Sequence, residues 1–240
     1  MHWDSFLQLS YSALSGSMTM ADTTPTVIDY YTDVLCVWAW IAQPRLEEVQ
    51  KQWGQQIQVR YRFVDIFGDA HAKISQRWGE DDGFEKFSAH VIHSAEPFTD
   101  SPVHRDVWTH VKPRSSLSAH LMLKAVAIIS GEDAVKTMAL QIRRAFFMEA
   151  QDIGHLTLLL DLAQQHGLDS RALKATIMDG QAVAALSKDQ QNARDLGVKG
   201  SPTWVLNDGR QILYGNVGYR ILNANIEEML KRPGPEASWC

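Results

Sequence analysis

The 240-residue sequence predicts an α/β fold in which a small sheet-forming core is interrupted by a large all-helical insertion. Three observations predict this arrangement. A strand–helix–strand pattern occupies residues 26–64, no convincing strand appears between residues 67 and 178, and a β-hairpin signal follows near residue 207. A parallel crossover unit followed by helices and then by a hairpin is typical of a mixed sheet with an inserted helical domain.

The first unit begins with residues 26–33, which alternate and are rich in Val, Ile and Tyr, as expected of a strand. Residues 36–53 carry apolar side chains at helical spacing, and Gly54 ends the pattern. Pro44 lies inside this helix and should kink it. Residues 57–64 alternate again and predict a second strand. Two strands joined through a helix are expected to pair in parallel.

The insertion is predicted over residues 67–180, where only helical periodicity is found. A segment with three prolines, residues 94–114, should connect helices rather than form one. The predicted helices cover residues 84–93, 116–130, 132–149, 154–166 and 170–178.

The sheet-forming part resumes after the insertion. Residues 181–196 predict an amphipathic helix, and strands over 203–206 and 211–214 flank the turn signal Asn-Asp-Gly. A last helix is predicted over residues 221–230. Residues 25–66 and 181–232 would thus form one discontinuous domain, with a flexible tail over 233–240.

The N-terminal residues 1–24 show no pattern typical of a helix or a strand. They have no Lys or Arg and no unbroken apolar stretch, so they do not resemble a secretory signal. We expect a disordered extension, or an over-extended reading frame with the true start at Met18 or Met20.

The composition excludes several classes of function. The net charge of −5, without a basic cluster, argues against nucleic acid or an anionic membrane as partner. The two cysteines, Cys36 and Cys240, offer no disulfide framework, which fits a reducing cytoplasm. Pairs of His and Asp at helical spacing lack further ligands, so no metal site is expected. Asp189 and Arg194 are best explained by a solvated helix face.

Two local signals indicate chemistry. Cys36 lies where the first strand gives way to a helix, and a helix N-terminus should lower the pKa of a thiol below about 8.5. Pro202 lies between a small residue and a strand, a position at which a cis bond is expected. Ser201 could then offer its backbone N–H and C=O to an extended thiol substrate.

Four stretches carry a resemblance to a known family. Residues 33–39 (D-V-L-C-V-W-A), the helix start at 113–124, the helix pair at 145–169 and residues 197–205 (G-V-K-G-S-P-T-W-V) occur in the same order there. The chain resembles the DsbA-like thioredoxin superfamily, in the branch of FrnE-type oxidoreductases, 2-hydroxychromene-2-carboxylate isomerases and kappa-class glutathione transferases. The resemblance implies a thioredoxin-like fold with a helical insertion.

The resemblance also implies roles for individual residues. Cys36 would be the catalytic nucleophile, and Trp38, Ser201, Pro202 and Arg220 would contact the substrate or glutathione. Structural positions at the site are assigned to Ala39, Pro44 and Thr203. Ala39 stands where the oxidoreductases have their second cysteine, and Cys36 stands where the transferases have their catalytic serine. The asparagine of the helix-start motif is missing here.

The leading hypothesis is therefore a cytoplasmic thiol–disulfide oxidoreductase with a single nucleophilic cysteine, assisted by glutathione as co-substrate and without a tightly bound cofactor. Ala39 cannot attack a mixed disulfide, so an external thiol would have to do so. The alternatives are a glutathione-dependent transferase or isomerase, and a binding module without catalysis. The expected partner is a small thiol or disulfide, or a peptide, and a homodimer remains open.

Overall fold

The computed structural model describes residues 25–231, so the predicted N-terminal extension, the C-terminal tail and Cys240 lie outside the described residues. Its sheet has four strands in the order β2-β1-β3-β4. Strands β1 and β2 are parallel, and β3 is antiparallel to both β1 and β4. This confirms the predicted crossover unit and the hairpin. The strands are β1 (Thr26–Thr32), β2 (Ile57–Phe63), β3 (Thr203–Leu206) and β4 (Gln211–Tyr214).

The helical insertion is confirmed as well, because the described chain between β2 and β3 contains helices and no named strand. The helices are α1 (Val37–Ile41), α2 (Gln43–Trp53), α3 (Ala70–Trp78), α4 (Gly83–Ala95), α5 (Leu117–Ser130), α6 (Glu132–Phe147), α7 (Leu156–Gln165), α8 (Ser170–Met178), α9 (Gln181–Asp195) and α10 (Tyr219–Lys231). None of them is both long enough and apolar enough to span a bilayer within residues 25–231.

Helix α3 was not predicted from the sequence. Its start is marked by Asp69, whose carboxylate accepts a hydrogen bond from the Ala72 N–H at 3.0 Å. Such an N-cap satisfies one of the free amides of a first turn. Ile74 and Trp78, four residues apart, lie on the inward side of the helix, and Gly79 ends it. The cap and this spacing were the signals available in the sequence.

The helix after Cys36 is interrupted rather than kinked. Helix α1 ends at Ile41, and Pro44 occupies the first turn of α2, where its missing N–H is tolerated. Proline leaves the carbonyl four residues earlier without its helical donor. The Ser101 hydroxyl donates to that carbonyl, on Trp40, at 3.3 Å. The predicted structural role of Pro44 thus takes the form of a break that keeps α1 to five residues.

One hydrophobic core runs from the sheet into the insertion. Tyr30 packs against Tyr61 and Trp204 within the sheet, and α5 contacts α6, α8 and α9. Helix α9 contacts both α5 and β2, so it joins the insertion to the sheet. The proposed boundary between the two domains therefore crosses a shared core.

The expectation that Asp189 lies on a solvated helix face is wrong. Its side chain is 1% exposed and accepts hydrogen bonds from Lys124 Nζ at 2.7 Å, Arg62 Nη1 at 3.0 Å and the Phe63 N–H at 3.1 Å. A carboxylate buried on this scale needs such partners. Asp189 thus ties α9 to α5 and to β2, whereas Arg194 on the same helix is exposed.

Candidate functional site

Cys36 lies at the junction between the sheet and α1, as predicted. It is the N-cap residue of α1, and its side chain faces a cavity while the residue as a whole is 7% exposed. The thiol donates a hydrogen bond to the Ser201 carbonyl, with 3.1 Å between Sγ and O. The two site segments that the sequence separates by more than 160 residues are therefore in direct contact.

The expected lowering of the Cys36 pKa is wrong. Burial raises the pKa of this thiol above its ordinary value, and the nearby Asp33 carboxylate raises it further. Hydrogen bonds from the Ser201 side chain and from the backbone amides of Ala39 and Trp38 lower the pKa of Cys36, but by less than burial raises it. Helix α1 has only five residues, so its dipole is small. At neutral pH the Cys36 side chain is therefore a protonated thiol.

The turn that carries Cys36 is held by Asp33, which is fully buried. Its Oδ1 accepts from the Leu35 N–H at 2.9 Å, and its Oδ2 accepts from the Phe67 N–H and the Ser116 hydroxyl, both at 2.8 Å. Burial raises the pKa of Asp33 to about 6, although these hydrogen bonds lower it. One carboxyl group thus joins the end of β1 to the loop after β2 and to the start of α5.

His120, which belongs to one of the motifs quoted above, lies behind the same turn. Its Nε2 accepts a hydrogen bond from the Val34 N–H at 3.3 Å and is 3.8 Å from Asp33 Oδ1. Burial lowers the pKa of His120 to about 3, and the positive charge of Arg143 contributes. The imidazole is therefore neutral at physiological pH and has a structural role as an acceptor.

The loop before β3 completes the site. The bond between Ser201 and Pro202 is cis. The Ser201 hydroxyl accepts from the Asp33 N–H at 2.9 Å, and the Thr203 hydroxyl donates to the Gly200 carbonyl at 2.9 Å. These bonds fix the loop against the end of β1. The Ser201 carbonyl is engaged by the Cys36 thiol, so pairing of its backbone with a substrate stays a prediction.

The cavity in front of Cys36 has a volume of about 490 Å³. Aromatic side chains form much of its wall: Phe87 lies 5.9 Å from Phe67 and 5.6 Å from Trp78, measured between ring centres. Trp38, exposed at the opening, also lines the cavity. This size and composition are typical of a site for a small ligand.

The structure brings together most of the predicted site residues. Cys36, Trp38 and Ser201 line the cavity, and Ala39 is fully buried behind the thiol. Arg220, in contrast, is exposed in the first turn of α10 and does not line this cavity. That Arg220 binds a glutathione carboxylate therefore stays a prediction, because the structure does not place this side chain at the cavity.

Several lining residues were not predicted, chiefly because they lie on α3 and α4. They are Ile66, Phe67, Lys73, Ile74, Arg77, Trp78, Phe87, His90, Lys199 and Gly200. Within residues 25–231, no three side chains of His, Cys, Asp or Glu converge as a metal ion would require.

Comparison with known proteins agrees with this geometry. Residues 27–227 match the family described as DSBA-like thioredoxin domain. A curated relative, the ClpXP adapter protein SpxH of Halalkalibacterium halodurans, is 26% identical over 215 residues, which cover 86% of this chain and 68% of the relative.

Two solved structures share the fold. A putative protein disulfide isomerase from Nitrosomonas europaea has a TM-score of 0.70 and 19% identity, over 88% of this chain and 100% of that one. The cytosolic disulfide reductase DsbM from Pseudomonas aeruginosa, solved with GSH, has a TM-score of 0.65 and 21% identity, over 85% of this chain and 99% of that one.

Proposed function

This chain belongs to the DSBA-like thioredoxin domain family, and on that premise we propose that it is a thiol–disulfide oxidoreductase with Cys36 as its single nucleophile and glutathione as the resolving thiol. The observation that carries the proposal is the placement of the Cys36 thiol at a cavity, on the Ser201 carbonyl, with Ala39 where a second thiol would stand. Cys36 is the single cysteine between residues 25 and 231.

The proposed reaction has two exchange steps. The Cys36 thiolate attacks one sulfur of a substrate disulfide R–S–S–R′, forms Cys36–S–S–R and releases R′–S⁻, which takes up a proton. A glutathione thiolate then attacks the R sulfur of the mixed disulfide, which releases Cys36 and gives R–S–S–glutathione. The two steps together exchange one thiol for another, so no further oxidant or reductant is required.

The first step requires removal of the thiol proton. In the resting state this proton is donated to the Ser201 carbonyl, which favours the neutral thiol. The Ser201 hydroxyl and the amides of Ala39 and Trp38 act in the other direction, because they lower the pKa of Cys36. These donors would stabilise the thiolate once it forms. The rate of the first step should therefore rise with pH.

Two arguments favour glutathione as the second thiol. Ala39 is fully buried and has no sulfur, so the mixed disulfide must be resolved from outside the site. DsbM, which shares this fold, is named a cytosolic disulfide reductase and was solved with GSH. A reducing compartment rich in glutathione, as first expected from the cysteine content, would suit this chemistry.

The test is trapping of the mixed disulfide. The Cys240→Ser variant, which keeps the nucleophile, is treated with oxidised glutathione and its intact mass is measured beside the double variant Cys36→Ser, Cys240→Ser. We expect one glutathione adduct on the first protein and none on the second. Turnover is then measured with a small disulfide and glutathione, coupled to glutathione reductase. Absence of an adduct on Cys36 would overturn the proposal.

A non-catalytic binding function is the second candidate, and the similarity to SpxH, named as a ClpXP adapter, favours it. An adapter requires surface contacts rather than a reactive thiol. The Cys36→Ser variant would then retain binding to a client or to the protease, whereas an oxidoreductase would lose its turnover. The transferase or isomerase alternative predicts that glutathione is added to an electrophile. This activity can be measured on the Cys240→Ser variant and on the double variant Cys36→Ser, Cys240→Ser.

A further inference from the structure

The charge of the Cys36 cavity differs from that of the whole chain. The chain has a net charge of −5, yet the cavity is lined by Lys73, Arg77 and Lys199 and by no Asp or Glu. His90 adds no charge at neutral pH, because burial and the Arg77 charge lower its pKa. The cavity is therefore a locally positive site on a negatively charged protein.

In the described part of the chain, the side chains of these three cations have no ion-pair partner, unlike the buried Lys124. Within residues 25–231, the side chains of Lys73, Arg77 and Lys199 form no hydrogen bond or ion pair with a protein group; the Lys73 ammonium lies over the Phe67 ring at 5.2 Å instead. By contrast, the buried Lys124 is paired with Asp189 at 2.7 Å.

Burial lowers the pKa of Lys73, and the Asp33 and Asp65 carboxylates act in the opposite direction without forming an ion pair with it. A half-buried cation without a close counter-ion is stabilised when a ligand supplies one. Lys73 is half-buried within the cavity, while Arg77 and Lys199 are exposed at its opening. A ligand that enters past the two outer cations therefore meets positive charge both at the opening and inside.

Apart from His90 and Ser201, the rest of the wall is mostly apolar and aromatic. Trp38, Phe67, Trp78 and Phe87 line the cavity together with aliphatic side chains, and Phe87 packs against both Phe67 and Trp78. Such a wall favours a flat apolar group, whose burial releases water from both surfaces. The positive charges and the aromatic wall lie in one cavity beside a single thiol.

We infer that the Cys36 cavity selects small molecules that carry both an anionic group, such as a carboxylate, and an aromatic or similarly flat apolar body. As a statement about substrates, this rests on the proposed function of Cys36. The selected class is an anionic aromatic thiol or its disulfide: the body lies against Trp78 and Phe87, and the anion pairs with Arg77 or Lys199. Cationic disulfides would be poor substrates.

Binding can be tested without the cysteine. In the Cys36→Ser protein, calorimetry compares naphthoate with naphthylmethylammonium, which reverses the charge, and with acetate, which lacks the apolar body. We expect naphthoate to bind at least about tenfold more tightly than either. One surface charge pair strengthens binding by up to about fivefold. The double variant Arg77→Gln, Lys199→Gln removes two cations, so it should weaken naphthoate binding roughly tenfold. High salt should have a similar effect.

The matched control is Arg171→Gln, Lys174→Gln, which removes the same two residue types from the exposed face of α8. It should leave naphthoate binding unchanged. Equal binding of the three ligands, or equal effects of the two double variants, would overturn the inference.

Reaction rates separate this inference from the proposed function. With Cys36 present, the reaction rate of the anionic disulfide dithiobis(nitrobenzoate) is divided by that of the neutral dithiodipyridine. This ratio should fall in the Arg77→Gln, Lys199→Gln variant but not in the control. If Cys36 forms mixed disulfides without this preference, the inference fails and the proposed function stands. If naphthoate is selected but Cys36 never reacts, the proposed function fails and the cavity remains an anion-selective binding site.

Discussion

Asp33 offers the sharpest test of how this site is held together. It is fully buried, and its carboxylate accepts hydrogen bonds from Leu35, Phe67 and Ser116 on three different segments. Replacement by Asn in the Asp33→Asn variant keeps the shape of the side chain and removes its charge. Because the folded protein raises the pKa of Asp33 to about 6, this change should alter how the free energy of unfolding depends on pH.

The sign follows from proton uptake. Below about pH 4, Asp33 is protonated in both the folded and the unfolded chain. Between about pH 4 and 6 the unfolded chain loses this proton while the folded chain keeps it, so the wild-type protein is destabilised as pH rises. The difference between 3.8 and about 6 corresponds to about 3 kcal/mol, at about 1.36 kcal/mol for each pH unit.

The assay is urea denaturation of both proteins between pH 4 and pH 7.5. The stability of the wild-type protein relative to Asp33→Asn should fall by about 2.4 kcal/mol across this range, mostly between pH 4 and 6, because about 0.6 kcal/mol is already lost at pH 4. His120, whose pKa is lowered to about 3, destabilises the fold as pH falls below its unfolded value, but this contribution is common to both proteins and cancels in the difference. Asp65→Asn, on an exposed side chain nearby, is the control and should give no such change.

Parallel pH profiles for the wild-type protein and Asp33→Asn would refute the reasoning, as would a difference of the opposite sign. A second readout links the same residue to the site. The Asp33 charge raises the pKa of Cys36, so Asp33→Asn should move the midpoint of Cys36 alkylation to lower pH.

Three further predictions concern the thiol and the buried charges. Alkylation of Cys36 should have a pH midpoint above the usual value of about 8.5, because burial raises its pKa; a lower midpoint would contradict this. Ala39→Cys should form an internal disulfide, seen as a mass lower by two hydrogens in place of a glutathione adduct. Asp189→Asn should lower the free energy of unfolding in urea by about 3–5 kcal/mol, because Lys124 would remain buried without its partner. Asp195→Asn, at the exposed end of the same helix, should change it by less than about 0.5 kcal/mol.

Much of the site could be predicted because its signals are local. The Val- and Tyr-rich strand before Cys36, and the Asn-Asp-Gly turn between β3 and β4, depend on neighbours in sequence. The effect of Pro44 is local too, since proline acts within one helical turn, although the structure has a break where a kink was predicted. Cys36 and Ser201 could be assigned to one site only through the motifs around them, which occur in a fixed order in related proteins.

Local sequence patterns were therefore enough to predict the α/β class, the helical insertion and the position of Cys36 between a strand and a helix. The surroundings of Cys36, in contrast, depend on the tertiary structure. The charge of Lys73 and Arg77 faces Cys36 only because α3 packs across the opening, and the pKa of Cys36 rises only because the fold buries it. Asp189 likewise looks like any surface acid until Lys124 and Arg62 surround it. Burial and charge pairing depend on residues distant in sequence, and no local pattern records them.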